Sequence, residues 1–292
     1  MVITIIHPPD KIHSRLNKYC FFKVNLFFLP ETPTRDHQAM SRNILITGAT
    51  SGFGRACAER FAAEGWGLIL CGRREDRLQR LRAELPAERV HCTRLDVRAR
   101  DQVEEMVAGI PAVLQGIDVL VNNAGLALGL NPAHEADMED WEIMVDTNIK
   151  GMLYLTRAVL PDMVRRNRGH IINIGSVAGT WPYPGGNAYG ATKAFVKQFT
   201  NNLRTDLLGT AVRVTNIEPG LAETEFSLVR FHGDREQADK AYKGTRPLTA
   251  ADIAEIVHWV TSVPPHVNIN ALEVMPVCQS WSPFAIHREE TG

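Results

Sequence analysis

Ile44-Leu45-Ile46-Thr47-Gly48-Ala49-Thr50-Ser51-Gly52-Phe53-Gly54 joins a short apolar run to a turn holding three glycines. The residues after it, Cys57, Ala58, Phe61 and Ala62, recur at helical spacing until Gly65. A buried strand that turns on glycines into a helix is the opening of a strand–helix–strand unit. Glycines there permit a tight turn and the close approach of a pyrophosphate, while the helix N-terminus adds N–H donors and partial positive charge. The spacing Gly-x-x-x-Gly-x-Gly lacks the Gly-Lys-Ser/Thr ending of a nucleoside-triphosphatase loop. A glycine-rich turn alone is a weak signal; the strand before it and the helix after it give it weight.

Outward from this unit, short apolar runs keep alternating with helical patterns, which predicts an α/β fold with a parallel sheet and helices on both faces. The second strand, Leu68-Ile69-Leu70-Cys71, ends in Gly72-Arg73-Arg74. An acid in that place would hold a ribose 2′-OH, whereas arginine accommodates a 2′-phosphate, so NADP is favoured over NAD. The plainer reading is two solvated arginines ahead of the amphipathic helix from Glu75 to Leu85. Past the third strand, Val90 to Leu95, Asp96-Val97 offers either a carboxylate for an adenine amino group or an ordinary turn residue. The fourth, Ile117 to Val121, opens into Asn122-Asn123-Ala124-Gly125, small enough to let a cofactor lie on backbone. One long helix is expected from about Met138 to Arg166, with Asn148 inside its apolar face as a structural bridge or part of a proton relay. Arg165, Arg166 and Arg168 at its end fit the helix macrodipole better than the docking of an acidic carrier protein.

The chemistry concentrates between Asn173 and Lys193. Ser176 follows the apolar run His170 to Ile174, so it sits just beyond a buried strand, where open α/β sheets put their ligands. Tyr189 and Lys193, at i and i+4 of the next helical pattern, share one face. An ammonium beside a phenol favours the phenolate, and a serine hydroxyl aimed at the same substrate oxygen would polarise it, an arrangement suited to hydride transfer. Spacing alone does not separate this from a surface Tyr/Lys pair: Tyr19 and Lys23 fit it too, although without an upstream serine.

Val212 to Ile217 forms another strand, opening into Glu218-Pro219-Gly220. Residues 221–246 are weakly periodic and highly charged, as expected of a mobile lid over a cofactor site, with Arg230, His232 and Lys243 as its candidate anion binders. Each of those three, taken singly, reads better as a solvated side chain. A helix from Ala251 to Thr261 and a strand from Ala271 to Met275 close the pattern, and Trp281 and Phe284 suggest a tail that packs against a neighbouring subunit.

With 292 residues, 45% hydrophobic and 22% charged, and a net charge of −1, the chain reads as a soluble globular protein with no general affinity for nucleic acid or acidic lipid. Its five scattered cysteines suggest neither zinc nor a disulfide framework and favour a reducing cytoplasm. Residues 1–39 stand outside the pattern. Their apolar stretch Cys20 to Leu29 is broken by Lys23 and Asn25 and lacks a cleavage site, so neither a signal peptide nor a membrane span is expected. Met40, directly before the first strand, makes a start assigned too far upstream an equal explanation for a disordered leader.

Thr47 to Gly54, Asn122 to Gly125, Asn148, Ser176, Tyr189-Gly190-Ala191-Thr192-Lys193 and Pro219-Gly220 together resemble the short-chain dehydrogenase/reductase family over residues 43 to 276. Gly125 to Gly129, Thr180 to Tyr183, Asn268 to Glu273 and Met275 to Val277 are similar to its bacterial NADP-dependent 3-hydroxy acid dehydrogenases, which also act on serine or L-allo-threonine. The resemblance implies a single Rossmann-type, doubly wound parallel sheet spanning residues 40–292. It implies a catalytic tetrad of Asn148, Ser176, Tyr189 and Lys193, with Ser176 and Tyr189 meeting the substrate and no metal, in a homotetramer. The NADP-binding set expected with it is Gly48, Ala49, Thr50, Ser51, Gly52, Phe53, Gly54, Arg73, Arg74, Asp96, Val97, Asn123, Tyr189, Lys193, Pro219, Gly220, Leu221, Thr224, Glu225 and Phe226. The implied reaction oxidises the 3-hydroxyl of small acids such as L-serine, L-allo-threonine or 3-hydroxypropionate, or reduces the matching semialdehydes. A broader carbonyl or 3-oxoacyl reductase, and a non-catalytic NADP-sensing protein, remain as alternatives.

Overall fold

The alternating apolar runs become seven parallel strands in a computed structural model that describes residues 42–281. The leader 1–39, with Tyr19 and Lys23, and Phe284 of the tail lie outside the described residues. The strands are β1 (Asn43–Thr47), β2 (Gly67–Gly72), β3 (Val90–Arg94), β4 (Val119–Asn122), β5 (Gly169–Ile174), β6 (Val212–Pro219) and β7 (Ala271–Val274). Their order is β3-β2-β1-β4-β5-β6-β7. The register pairs Leu45 with both Ile69 and Leu120, so β1 is hydrogen-bonded on both edges. The chain reverses its direction of build-up between β1 and β4, and the crevice above their carboxyl ends is where such sheets take ligands.

Strand alternation sorts the core into two layers. Ile44, Ile46, Leu68 and Leu70 face α1 (Gly52–Ala62), α2 (Glu75–Glu84) and α9 (Ala250–Ser262), through Cys57, Phe61, Leu78, Ile253 and Val257. Leu45, Ile69 and Leu120 face α3 (Arg100–Ala108), α5 (Met152–Arg165) and α6 (Asn187–Asp206), through Val103, Met106, Leu155, Val159, Met163 and Leu203. Phe61 is fully buried edge-on to Trp66, their centroids 4.9 Å apart. Truncating such a ring to alanine typically costs about 3–5 kcal/mol.

The long helix expected from Met138 to Arg166 is not continuous. It divides into α4 (Met138–Val145), a π-helical turn at Asp146–Gly151, and α5. A π turn inserts one residue into the α ladder without ending it, so the apolar periodicity persists on either side and conceals the interruption. Arg166 and Arg168 at the end of α5 hold the nearly buried carboxylate of Asp118 at 3.5 and 2.9 Å, and Arg165 pairs with Asp162. These cations are thus committed to ion pairs within the chain. The segment 221–246 contains two short helices, α7 (Phe226–Arg230) and α8 (Arg235–Lys240). Among the described residues no helix is long and apolar enough to cross a membrane.

Candidate active site

The site begins with the turn after β1. A Cβ on Gly54 would collide with the carbonyl oxygen of Gly48 and lie 2.6 Å from Asn123 Nδ2, so only glycine lets α1 start so close to the turn. Asn123 braces that turn, donating to the carbonyls of Thr47 (2.8 Å) and Gly48 (3.3 Å). The Thr47 hydroxyl in turn accepts from the Asn123 and Ala124 amides, at 3.0 and 2.9 Å. The ends of β1 and β4 are thereby locked together, and the glycines form a cradle that a side chain would fill.

On one flank lie the arginines. Arg74 donates to the hydroxyls of Thr50 and Ser51, each at 2.9 Å, and to Glu225 Oε2 at 2.9 Å. Arg77, one turn further along α2, holds both oxygens of the same carboxylate at 2.6 and 2.9 Å. The pair holds the Glu225 carboxyl below its ordinary value, against the opposing effect of burial. Two arginines converging on one carboxylate, beside two hydroxyls, make an anion site of the type a phosphate needs. Arg73 is exposed on the rim of the cavity. Asp96 is gripped by Arg98 through both oxygens, at 3.0 and 2.6 Å, which lowers its pKa. Arg77 and Arg98 escaped the sequence reading; one helical turn from Arg74 and two residues from Asp96 are the only signals that would have found them.

The reacting groups sit between β5, the turn after it and α6. Ser176 caps the 3₁₀ turn Val177–Gly179, its oxygen accepting from the Ala178 amide at 3.1 Å. A Cβ at Gly179 would lie 2.7 Å from the Lys193 backbone, so this glycine sets how closely the turn packs on α6 and brings the serine to the Tyr189 side. Tyr189 and Lys193 are both buried, and Lys193 Nζ is 5.8 Å from the phenol ring centroid. The ammonium donates to the Ile174 carbonyl at 2.8 Å. Burial pushes Tyr189 up to about 12, with the Ser176 hydroxyl and Arg230 pulling the other way, and pushes Lys193 down to about 8. The sequence led us to expect the ammonium to govern the phenol; in the folded protein desolvation is the larger effect on both groups. Asn148, on the π turn, bridges the Leu126 amide (2.9 Å) and carbonyl (2.8 Å) and donates to Thr192 Oγ1 (3.0 Å). These bonds tie the loop after β4 to α6.

The segment 221–246 covers this floor. Arg230 reaches Tyr183 Oη at 2.7 Å and the Gly129 carbonyl at 3.3 Å, while His232 pairs with Asp140 at 3.2 Å and Lys243 is exposed. The root of the segment is tied by the Leu221 amide to Gln279 at 2.6 Å. Trp281, the last described residue, lies against its own chain: its indole and that of Trp181 both donate to Glu273, at 3.1 and 2.7 Å, with centroids 5.7 Å apart.

Floor, arginines and cover enclose one cavity of about 300 Å³. Of the residues expected to act there, all but Ala49, Gly54, Asn148, Leu221 and the lid's Arg230, His232 and Lys243 line it; Arg230 follows the lining residue Val229 and stands over the rings of Tyr183 and Tyr189 at its edge. Ala49, Gly54 and Asn148 are buried behind its wall. Among the described residues no group of three or more His, Cys, Asp or Glu side chains is arranged to hold a metal.

The model of the short chain dehydrogenase family matches residues 42–233. The NADP-dependent 3-hydroxy acid dehydrogenase YdfG of Salmonella typhi is 63% identical over 246 residues, covering 84% of this chain and 99% of that one. Sulfoacetaldehyde reductase 2 of Chromohalobacter salexigens is 55% identical over 252 residues, covering 86% of this chain and all of the relative. A solved closed form of serine dehydrogenase complexed with NADP+ superposes with a TM-score of 0.83 at 60% identity, covering 84% of this chain and 99% of that one.

Proposed function

The chain belongs to the short-chain dehydrogenase family, and from that premise we propose that it is an NADP-dependent oxidoreductase acting on the hydroxyl at carbon 3 of small acids, or on the corresponding aldehydes. One observation carries the reading: Ser176, Tyr189 and Lys193 open into the same cavity as the glycine turn and the Arg74 guanidinium. The donor set fits the dinucleotide, with the glycine cradle for its pyrophosphate and Arg74 with Arg77 for a 2′-phosphate, since those arginines already hold a carboxylate. NADP, when bound, supplies the hydride acceptor and, in its oxidised form, a positive charge.

The chain's own residues do the rest. Tyr189 takes the proton of the alcohol as the hydrogen on the same carbon departs as hydride. Ser176 donates a hydrogen bond to that oxygen, steadying the charge that develops on it. Lys193, positively charged below about pH 8, would hold the nicotinamide ribose and, as a nearby cation, oppose the upward push of burial on the phenol. Asn148 acts through position, fixing Leu126 of the floor and the Thr192 hydroxyl of α6. In reduction the same tyrosine returns its proton. The segment 221–246 serves as the lid.

Two relatives support the substrate class by their names. In a 3-hydroxy acid and in sulfoacetaldehyde alike, the central atom of an anionic group is two bonds from the reacting carbon. A reducing cytoplasm belongs to the same proposal, supported by the free thiols of Cys57, Cys71, Cys92 and Cys278, and so does a homotetramer, checked by light scattering. The functional test is an oxidation panel of L-serine, L-allo-threonine, 3-hydroxypropionate, 3-hydroxybutyrate and a 3-hydroxyacyl thioester, each with NADP and with NAD. Turnover is expected with NADP and small acids; turnover confined to acyl thioesters would shift the reading to a 3-oxoacyl reductase.

A further inference from the structure

Resting on that reading of the substrate class, we propose that Arg230 is the residue that recognises the substrate's anionic group, with Tyr183 holding its guanidinium in place. Arg230 ends α7 and lies between two aromatic rings, its Cζ 5.4 Å from the Tyr183 centroid and 5.6 Å from that of Tyr189. Its place is fixed at several points. Nη2 donates to Tyr183 Oη at 2.7 Å, Nε to the Gly129 carbonyl at 3.3 Å, and the Arg230 carbonyl accepts from the Gly129 amide at 3.0 Å. Two of the five N–H donors of the guanidinium are thus engaged. The others meet no acceptor, and no carboxylate pairs with Arg230, among the described residues.

An arginine half-buried on a tyrosine face, held in one geometry and lacking a counter-charge, is prepared for an anion. The other charges nearby are committed elsewhere. Asp140 belongs to His232, and the Lys193 ammonium points to the Ile174 carbonyl. A substrate whose oxygen meets Tyr189 and Ser176, and whose anion is two bonds from the reacting carbon, must put that anion close to the Tyr189 ring. Arg230 is the cation stacked on that ring. Phe226, 5.6 Å from Tyr189 on the same helix, and Leu126 close the space around it with apolar surface, which suits a short chain. The guanidinium fork accepts a carboxylate or a sulfonate, so one residue serves both kinds of substrate.

The test compares charged and neutral substrates of one shape. Oxidation of 3-hydroxybutyrate, 3-hydroxybutyramide and 2-hydroxyethanesulfonate with NADP is measured for the parent enzyme, Arg230→Gln, Arg230→Lys and Tyr183→Phe. For Arg230→Gln, kcat/KM should fall roughly 10²-fold with the acid, mostly through KM, as expected for charge-assisted hydrogen bonds. The amide's KM should change less than about threefold and the NADP Michaelis constant should stay put, any change in kcat through the phenol should be shared by acid and amide, and Arg230→Lys should recover part of the KM loss while Tyr183→Phe loses less than Arg230→Gln. The sulfonate arm shows which anion the fork prefers. Equal KM losses with acid and amide would make Arg230 a structural staple between α7 and Gly129 and overturn the proposal, as would a parent enzyme indifferent to the charge. If the parent turned over none of the three, the functional reading itself would fail.

Discussion

The floor of the cavity and its cover are built on different principles. On the floor, Asn123, Thr47 and Asn148 each make several hydrogen bonds to backbone, and Lys193 is buried against the Ile174 carbonyl. The cover is held by side-chain charges: Glu225 to Arg74 and Arg77, His232 to Asp140, Arg230 to Gly129, plus the backbone bridge between Ala222 and Leu248. Backbone-anchored groups keep their geometry when water enters, whereas half-exposed ion pairs exchange readily. On the proposed reading the reacting groups belong to the floor and the selecting group to the cover, so a change below should strike rate, and a change above should strike affinity.

The largest effect should come from Tyr189→Phe, which keeps the ring and its packing and removes the phenol oxygen. Its turnover number should fall about 10² to 10⁴ fold, with NADPH binding, followed by fluorescence, intact. Near-normal turnover would dissolve the distinction, because the proton would then have to leave through the cover. In the parent enzyme, burial pushes the phenol up, so oxidation, which needs the phenolate, should climb with pH across the alkaline range. Reduction, which needs the protonated form, should stay flat through neutrality.

Next is Arg74→Ala. Loss of one charge-assisted contact should raise the NADP Michaelis constant roughly 10 to 10² fold and leave NAD nearly unchanged; parallel losses with both cofactors would move the 2′-phosphate site elsewhere.

Lys193→Met tests the floor through stability. Burial lowers Lys193 from 10.5 to about 8, so between those values the unfolded chain holds the proton that the folded one releases, and stability rises with pH through that window. At neutral pH the buried charge costs about 3 kcal/mol, and the Ile174 bond returns about 1 kcal/mol. The variant should therefore lose activity yet melt at the same temperature or a few degrees higher, with a flatter slope from pH 8 to 10.5. A clear drop in melting temperature would show that the ammonium stabilises the floor. The smallest effect belongs to Glu225→Gln. Freeing Arg74 and Arg77 from a competing carboxylate should lower the NADP Michaelis constant a few fold, about the worth of a half-exposed ion pair, and an increase would assign Glu225 a direct part in holding the cofactor.

The same division explains what could be read from the chain beforehand. The strands, the glycine turn and the stretch from Ser176 to Lys193 are local: each is a run whose spacing alone fixes which side chains share a strand end or a helix face. The π turn at Asn148 was hidden because a one-residue insertion leaves the apolar pattern intact on either side of it. The meeting of Arg77 with Glu225 spans 148 positions and that of Arg230 with Tyr183 spans 47. Such contacts depend on how α7 docks, and five residues flanked by charged, aperiodic sequence carry no pattern that says so. Arginine singly reads as solvated; only the folded chain sets Arg230 on two tyrosine rings.

The π turn has a further consequence when α4 and α5 are regarded as two gears on one shaft. An α-helix advances about 100° per residue, and the wide turn takes up that rotation for its one surplus residue, so the helices on either side keep their faces. Deleting a single residue between 146 and 151 would let the ladder close as ordinary α-helix. Leu155, Val159 and Met163 would keep their core face, but the wide turn that carries Asn148 to Leu126 and Thr192 would be lost from the floor. A short deletion here should thus be far more damaging than any conservative substitution at the same positions, which makes this seam the place where length, more than composition, is under constraint.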